Sequence, residues 1–188
     1  MIRWLSKSTL RLLGWNTNGA LPEGIKKAVI VSAPHTSYWD FVIGRLTFWA
    51  ISVNIRFLIK KEVFFFPLGF FFRQLGCIPV ERGKYKNSIV RQVVDMFHQQ
   101  ESLAVVITPE GTRRRVDHWK KGFYLIAMEA HVPMALSYID YGNKTGGIGP
   151  VIYPTGDYKK DLKLIQDFYK DKTARYPECF NLTKTHTQ

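Results

Sequence analysis

The sequence predicts an α/β domain with a mostly parallel central sheet flanked by helices. Two continuous apolar runs of strand length, at residues 28–34 and 103–108, end at a proline or just before one, as is typical of buried parallel strands. Segments with helical spacing of apolar residues lie between them, at 39–53 and 87–102. Strands that alternate with helices in this way form parallel sheets. A chain of 188 residues is long enough to bury one sizeable core.

The other elements continue the alternation. In chain order they are strands at 56–60 and 77–82, a helix at 121–131, strands at 132–141 and 148–154, and a helix at 157–176. Ligands of such sheets bind beyond the carboxyl ends of the strands. Three polar clusters fall at those ends, at residues 35–40, 81–84 and 109–115.

Residues 1–20 are predicted to form an N-terminal amphipathic helix, and residues 21–188 a single domain. The apolar residues that can share one side of the helix are Trp4, Leu5, Leu12 and Trp15. Tryptophan beside lysine and arginine suits a membrane interface, so this helix either contacts a membrane surface or packs on the domain. Basic residues interrupt the segment, and no apolar run reaches the ~20 residues of a membrane span. We therefore expect neither a signal peptide nor a transmembrane helix.

The formal net charge of +12 indicates an anionic partner. Nucleic acid, an anionic membrane surface and a phosphorylated substrate all meet that description. The phenylalanines cluster in one apolar run and do not alternate with arginine and lysine, as the stacking platforms of nucleic-acid-binding proteins do. Because the sequence also has no recognised nucleic-acid-binding motif, we do not expect nucleic acid to be the partner.

His35 and Asp40 form the first candidate site. Pro34 ends the preceding strand, and Thr36 or Ser37 can cap a helix that follows. On a continuous helix, side chains five residues apart point in different directions, so contact between His35 and Asp40 requires a turn between them. A carboxylate on one ring nitrogen would fix the histidine tautomer and leave the other nitrogen free to take a proton. The alternative is that His35 is a loop histidine with satisfied hydrogen bonds and that Asp40 is a plain acidic residue at a helix start.

Residues 108–115 and 76–84 carry the other two clusters. In the first, Glu110, Gly111, Thr112 and Arg113 follow a strand that ends at Pro109. Glycine allows close approach to a ligand, and hydroxyl and guanidinium groups are donors suited to phosphate oxygens. In the second, Arg82 comes just after a predicted strand. Taken alone, the first cluster also fits a solvated basic turn, and Arg82 also fits a surface residue.

The order of these motifs resembles the glycerolipid acyltransferase family, which includes the 1-acylglycerol-3-phosphate acyltransferases. The blocks that carry the resemblance are His-x4-Asp, Gly-x4-Glu-Arg, Pro-Glu-Gly-Thr-Arg and the proline-bearing segment 132–139. The resemblance implies that His35 is the general base and that Asp40 orients it. It also implies an acceptor site, chiefly for phosphate, whose residues are Arg82, Glu110, Gly111, Thr112 and Arg113. Pro133 matches the block associated with shaping the site and the acyl-donor pocket.

The activity implied is transfer of an acyl group from acyl-CoA or acyl-carrier protein to a lysophospholipid hydroxyl. The acceptor expected is 1-acylglycerol-3-phosphate, which gives phosphatidic acid. A thioester is already activated, so no metal or organic cofactor is expected. One alternative is a non-phosphorylated acceptor, such as an acylated amino-acid lipid, and another is an acyl-enzyme formed on Ser37. A third is a non-catalytic basic module that binds a membrane or nucleic acid.

A phenylalanine-rich segment at residues 63–72 is the last informative feature. Pro67 and Gly69 interrupt it, and Lys60, Lys61 and Arg73 flank it. It is either a hydrophobic patch that enters the bilayer surface or an irregular core segment that covers the acyl chain. With the first interpretation, the protein is peripheral on the cytoplasmic face of a membrane.

Overall fold

Strands and helices alternate through residues 1–81 and 88–183, which the computed structural model describes. The strands are β1 (Asn16–Asn18), β2 (Lys27–Ser32), β3 (Ile55–Lys60), β4 (Cys77–Val80), β5 (Leu103–Ile107), β6 (Met134–Asp140) and β7 (Thr145–Ile152). The helices are α1 (Ile2–Leu12), α2 (Trp39–Ala50), α3 (Leu68–Gln74), α4 (Ser88–Gln99), α5 (Gly122–Glu129) and α6 (Tyr158–Tyr169). Short 3₁₀ turns lie at Lys61–Val63 and Pro177–Cys179.

The strands form one sheet in the order β1-β7-β6-β2-β5-β3-β4. The five strands from β6 to β4 are parallel to one another, whereas β7 is antiparallel to β6. Strand β1 pairs with β7 in parallel and closes that side of the sheet. The predicted α/β class with a mostly parallel central sheet is confirmed.

Helices cover both faces of the sheet, and this explains why residues 28–31 in the middle of β2 are all apolar. Val29 and Val31 point into a core shared with α4, α5 and α6. Ala28 and Ile30 point into a second core, which includes Phe48 of α2. Because both faces are buried, every position from 28 to 31 must be apolar.

Some elements differ from the predictions. The strand predicted at 77–82 ends two residues earlier, as β4 (Cys77–Val80), and the strand predicted at 148–154 begins three residues earlier, as β7 (Thr145–Ile152). The helix predicted to reach residue 176 ends at Tyr169. Neither β1 nor α3 was expected. The three residues of β1 are polar and become a strand through pairing with β7, while the phenylalanines of α3 lack a one-sided apolar pattern.

Helix α1 packs against α2 by burying Ser6 and Leu10. The side chains of Trp4, Leu5 and Leu12 remain largely exposed. Trp15 does not share their side because the helix ends at Leu12. It is buried instead, with its ring edge-to-face against Tyr141 at a centroid distance of 5.0 Å. Residues 1–20 therefore contain a helix, α1, and also a strand of the central sheet, β1.

None of the helices in the described ranges has the length and apolar character that crossing a bilayer requires.

Candidate active site

Three parallel strands bring polar residues together at one edge of the sheet. β5 and β6 flank β2, and all three run in the same direction. Their carboxyl ends therefore meet at one edge, where His35 follows β2, Glu110 follows β5 and Tyr141 follows β6. This edge of the sheet, called the carboxyl edge below, is where parallel α/β sheets bind ligands.

The structure brings His35 and Asp40 into contact, with 3.3 Å between His35 Nδ1 and Asp40 Oδ2. The same carboxylate oxygen accepts the backbone N–H groups of Thr36 at 2.7 Å and Ser37 at 2.8 Å. These bonds fold the segment between the pair into a tight turn, and α2 begins only at Trp39. Asp40 thus sits in the first turn of α2 and reaches back to the histidine.

Tyr141 completes the surroundings of Asp40. Its hydroxyl donates a hydrogen bond of 2.8 Å to Asp40 Oδ1, the oxygen that the turn does not use. Sequence reasoning did not identify this residue. The available signal was its place as the last residue of the predicted strand 132–141, which puts it at the same edge as His35.

Hydrogen bonds keep Asp40 ionised despite its burial. Burial alone would raise its pKa, but the bonds from His35, the turn and Tyr141 outweigh that effect and hold the pKa below its ordinary value. A carboxylate in this state can stabilise a protonated imidazole ring. Because Nδ1 of His35 faces Asp40, Nε2 is the nitrogen left to exchange a proton with a substrate.

Glu110 is a second buried carboxyl group, and its surroundings act in the opposite direction. Its side chain is 2% exposed, and Oε1 accepts the backbone N–H of His35 at 2.9 Å. Within the described residues, Oε2 has no hydrogen-bond partner. Burial raises the pKa of Glu110 to about 8, so the group is mainly protonated at neutral pH. Glu110 therefore supports the His35 loop from beneath, and its burial leaves little surface for direct contact with an acceptor.

The loop after Glu110 carries the other motif residues. Gly111 has a φ of +65°, and a Cβ there would lie 2.9 Å from the Lys120 side chain. Thr112 Oγ1 accepts the backbone N–H of Arg114 at 3.3 Å. The guanidinium of Arg113 lies over the ring of Tyr38, 3.7 Å from its centroid. Tyr38 belongs to the His35 turn, so Arg113 lies beside the His35–Asp40 pair.

One motif residue, Pro133, does not join the pair. Pro133 immediately precedes β6, whose opposite end is at the carboxyl edge. At ~3.3 Å per residue, the seven residues of β6 separate Pro133 from that edge by roughly 20 Å. Arg82 lies in the segment 82–87, outside the described residues.

Ser37 is poorly placed to act as a nucleophile. Its side chain is buried, and Oγ accepts the backbone N–H of Trp39 at 3.1 Å. Asp40, and not Ser37, is the group that contacts the histidine ring.

Residues 16–156 match a family model described as Acyltransferase. Comparison with curated protein sequences finds no match. Among solved structures, the fold is similar to the crystal structure of the 1-acyl-sn-glycerophosphate (LPA) acyltransferase PlsC from Thermotoga maritima. The TM-score is 0.60, over 93% of this chain and 80% of that one. At 16% sequence identity, this likeness bears on the fold alone.

The raised pKa of Glu110 predicts a pH-dependent stability difference between the wild type and Glu110→Gln. Between pH 4.5, the ordinary pKa, and about 8, the unfolded chain releases this proton while the folded chain keeps it. The wild type should therefore lose stability relative to the glutamine variant as pH rises through this range, by at most about 1.4 kcal/mol per pH unit. Urea unfolding at several pH values measures the difference.

Glutamine can keep the bond to the His35 amide through its own Oε1, so the fold should survive the change. Glu23→Gln, the same substitution at an exposed position, is the control for losing one carboxyl group. Parallel pH profiles of the wild type and Glu110→Gln would contradict the prediction.

Proposed function

Because the chain belongs to the acyltransferase family, we propose that this enzyme transfers a fatty acyl group from an acyl thioester to a lysophospholipid hydroxyl. The observation that carries the proposal is the contact between His35 and Asp40 at the carboxyl edge, beside Arg113. The acceptor proposed is 1-acylglycerol-3-phosphate, and the product is phosphatidic acid. PlsC, whose fold is similar, is described as an acyltransferase for that acceptor.

His35 acts as the general base. Nε2 takes the proton of the acceptor hydroxyl while the hydroxyl oxygen forms a bond to the thioester carbonyl carbon. The resulting tetrahedral intermediate collapses, the carbon–sulfur bond breaks, and the thiolate leaves with the electron pair. The proton then passes from the imidazolium to the thiolate or to water. Acyl transfer is direct, and no acyl-enzyme on Ser37 is needed.

Asp40 makes His35 effective in two ways. Its contact with Nδ1 keeps the proton of the neutral ring on that nitrogen, so Nε2 presents a lone pair to the acceptor. Its negative charge also stabilises the imidazolium that forms in the transition state. The hydrogen bonds that lower the pKa of Asp40 keep that charge in place at neutral pH.

Arg113, which lies beside the pair, binds the phosphate of the acceptor in this proposal. Arg113 presents a planar set of donors that suits phosphate oxygens, and its ring contact with Tyr38 fixes its position. Thr112 lies next to it and can donate its hydroxyl. Binding the phosphate here orients the glycerol hydroxyl toward His35 and raises its effective concentration. Both donors, acyl-CoA and acyl-carrier protein, are anionic and suit the basic surface.

An apolar surface at the same edge suits contact with a bilayer. The phenylalanine-rich segment follows β3 and its 3₁₀ turn, so it begins at the carboxyl edge. Phe64 and Phe72 pair with each other at a centroid distance of 5.8 Å. Four others face outward, and these are Phe65, Phe66, Phe70 and Phe71. We call these four the phenylalanine patch, and we propose that it enters the membrane surface from which the acceptor comes.

Replacing His35 with alanine should reduce acyl transfer by about 10²–10⁴-fold, because the general base is lost. The assay uses labelled acyl-CoA or acyl-carrier protein with lysophosphatidic acid in detergent micelles. His98→Ala is the matched control, since His98 is exposed on α4 and should leave the rate unchanged. Both variants should unfold at temperatures close to that of the wild type.

Full activity of His35→Ala would contradict the general-base assignment. If the wild type itself gives no product with lysophosphatidic acid, the proposed acceptor is wrong. A panel of neutral and amino-acid lysolipids then shows whether a non-phosphorylated acceptor is used.

Replacing Phe66 and Phe70 with serine should weaken binding to lipid vesicles by about tenfold or more, because each buried phenylalanine contributes about 1.5–3 kcal/mol. Phe66 is 91% exposed, so its loss disturbs little of the protein's interior. Co-sedimentation with phosphatidylglycerol vesicles measures the change. Leu164→Ser is the control, since Leu164 is an exposed apolar residue on α6, away from the patch. Equal vesicle binding by all three proteins would show that the patch does not contact lipid.

A further inference from the structure

Arg175 is an exposed cation next to the His35–Asp40 pair, and it lies beyond the range that the family model matches. Its guanidinium carbon is 5.8 Å from the ring centroid of Tyr141, the residue that donates to Asp40. It is 5.5 Å from the ring centroid of Trp39, the first residue of α2. No carboxylate of the described residues lies within ion-pair distance of it. The charge of Arg175 therefore faces the site without a counterion from the described chain.

The backbone around Arg175 is bonded to the site on both sides. Before it, Thr173 O accepts the N–H of Tyr141 at 2.9 Å, and its own N–H donates to Asp140. After it, the N–H of Tyr176 donates to Thr36 Oγ1 at 3.2 Å. These bonds hold residues 173–176 against the His35 turn. The ring contacts then limit where the guanidinium can point, so little freedom remains to be lost on binding an anion.

A second arginine lies on the neighbouring ring. Arg113 stacks on Tyr38, and Arg175 lies over Trp39, the next residue along the chain. A phosphate monoester carries up to two negative charges and three terminal oxygens, which one guanidinium cannot fully satisfy. Asp40, which accepts from Tyr141, and Asp140, which accepts from the backbone of Thr173, do not compete for the arginines, because both carboxylates are buried and hydrogen-bonded.

We propose that Arg175 binds the phosphate of the acceptor together with Arg113, while the acceptor hydroxyl lies at His35. The proposal rests on the proposed function and adds to it a residue that selects phosphorylated acceptors. Arg175 contacts the phosphate and takes no part in proton transfer. Its loss therefore affects acceptor binding and leaves turnover at saturation nearly unchanged.

The first experiment compares the kinetics of wild type and Arg175→Ala. With lysophosphatidic acid, the variant should raise KM about tenfold or more while kcat changes little, because a charge-assisted hydrogen bond is lost. With 1-acylglycerol, which has the same acyl chain and central hydroxyl but a free hydroxyl in place of the phosphate, the two proteins should behave alike. Arg175→Lys should recover part of the loss, since it keeps the charge but not the forked geometry.

Lys172→Ala is the matched control. Lys172 lies three residues earlier and is half-buried, with its ammonium group over the rings of Tyr138 and Phe168. The Lys172→Ala substitution removes one positive charge close to Arg175 in sequence but leaves the residues of the site in place. The KM of this variant for lysophosphatidic acid should match that of the wild type. If Lys172→Ala raised KM as much as Arg175→Ala does, the loss of one positive charge would explain the effect, and the proposal would be overturned.

Two further measurements test whether Arg175 binds a phosphate of the acyl-CoA donor or of membrane headgroups instead of the acceptor phosphate. A rise in KM for acyl-CoA alone would assign Arg175 to the donor, and weaker binding to phosphatidylglycerol vesicles alone would assign it to membrane headgroups. A fall in kcat with both acceptors would assign it to positioning Tyr141 and Asp40. Each of these results overturns the proposal.

A binding experiment keeps the test independent of turnover. In the His35→Ala background, calorimetric titration with short-chain lysophosphatidic acid should give a Kd about tenfold higher when Arg175 is also alanine. Equal Kd values overturn the proposal. If the wild type does not acylate this acceptor but the Kd values differ as expected, the proposed function fails while the anion site at Arg175 stands.

Discussion

The carboxylate of Asp40 is the interaction on which the site depends. A buried carboxylate is costly unless its oxygens accept hydrogen bonds, and Asp40 finds these partners in separate parts of the chain. Two come from the turn after β2, one from Tyr141 at the end of β6, and the histidine ring supplies the fourth contact. The charge of Asp40 therefore fixes the turn after β2, the end of β6 and the start of α2. A change at Asp40 alters the geometry of the site as well as its electrostatics.

Asp40 and Glu110 are carboxyl groups whose surroundings shift their pKa values in opposite directions. Both are buried at the carboxyl edge and both contact His35, one at the ring and one at the backbone amide. Asp40 receives enough donors to remain charged, whereas Glu110 receives few and has a pKa of about 8. The charged group can stabilise an imidazolium. The neutral one can support the loop without adding a second negative charge, which would oppose binding of an anionic substrate.

Features that depend on local pattern could be predicted from the sequence. The apolar run of β2 and the proline that follows it predict a buried strand and a turn, and the His35–Asp40 contact follows from that turn. Features that depend on residues distant in sequence could not be predicted. β1 is polar and short, and only β7 makes it a strand. Tyr141 and Arg175 reach the site through the packing of β6 and of the segment after α6. Pro133 belongs to a motif that is recognisable in the sequence, but the structure places it at the amino end of β6, away from the carboxyl edge.

The parallel arrangement places at this edge of the sheet the groups that the proposed lipid substrate would need. Carboxyl ends that meet at one edge bring together three chemically different surfaces: the His35–Asp40 pair, the arginines near Tyr38 and Trp39, and the start of the phenylalanine patch. The lysophospholipid proposed as acceptor has a hydroxyl, a phosphate and an acyl chain within one small molecule, and under that proposal each would meet one of these surfaces. The segment 173–176 adds the cation of Arg175 to this edge from outside the range that the family model matches.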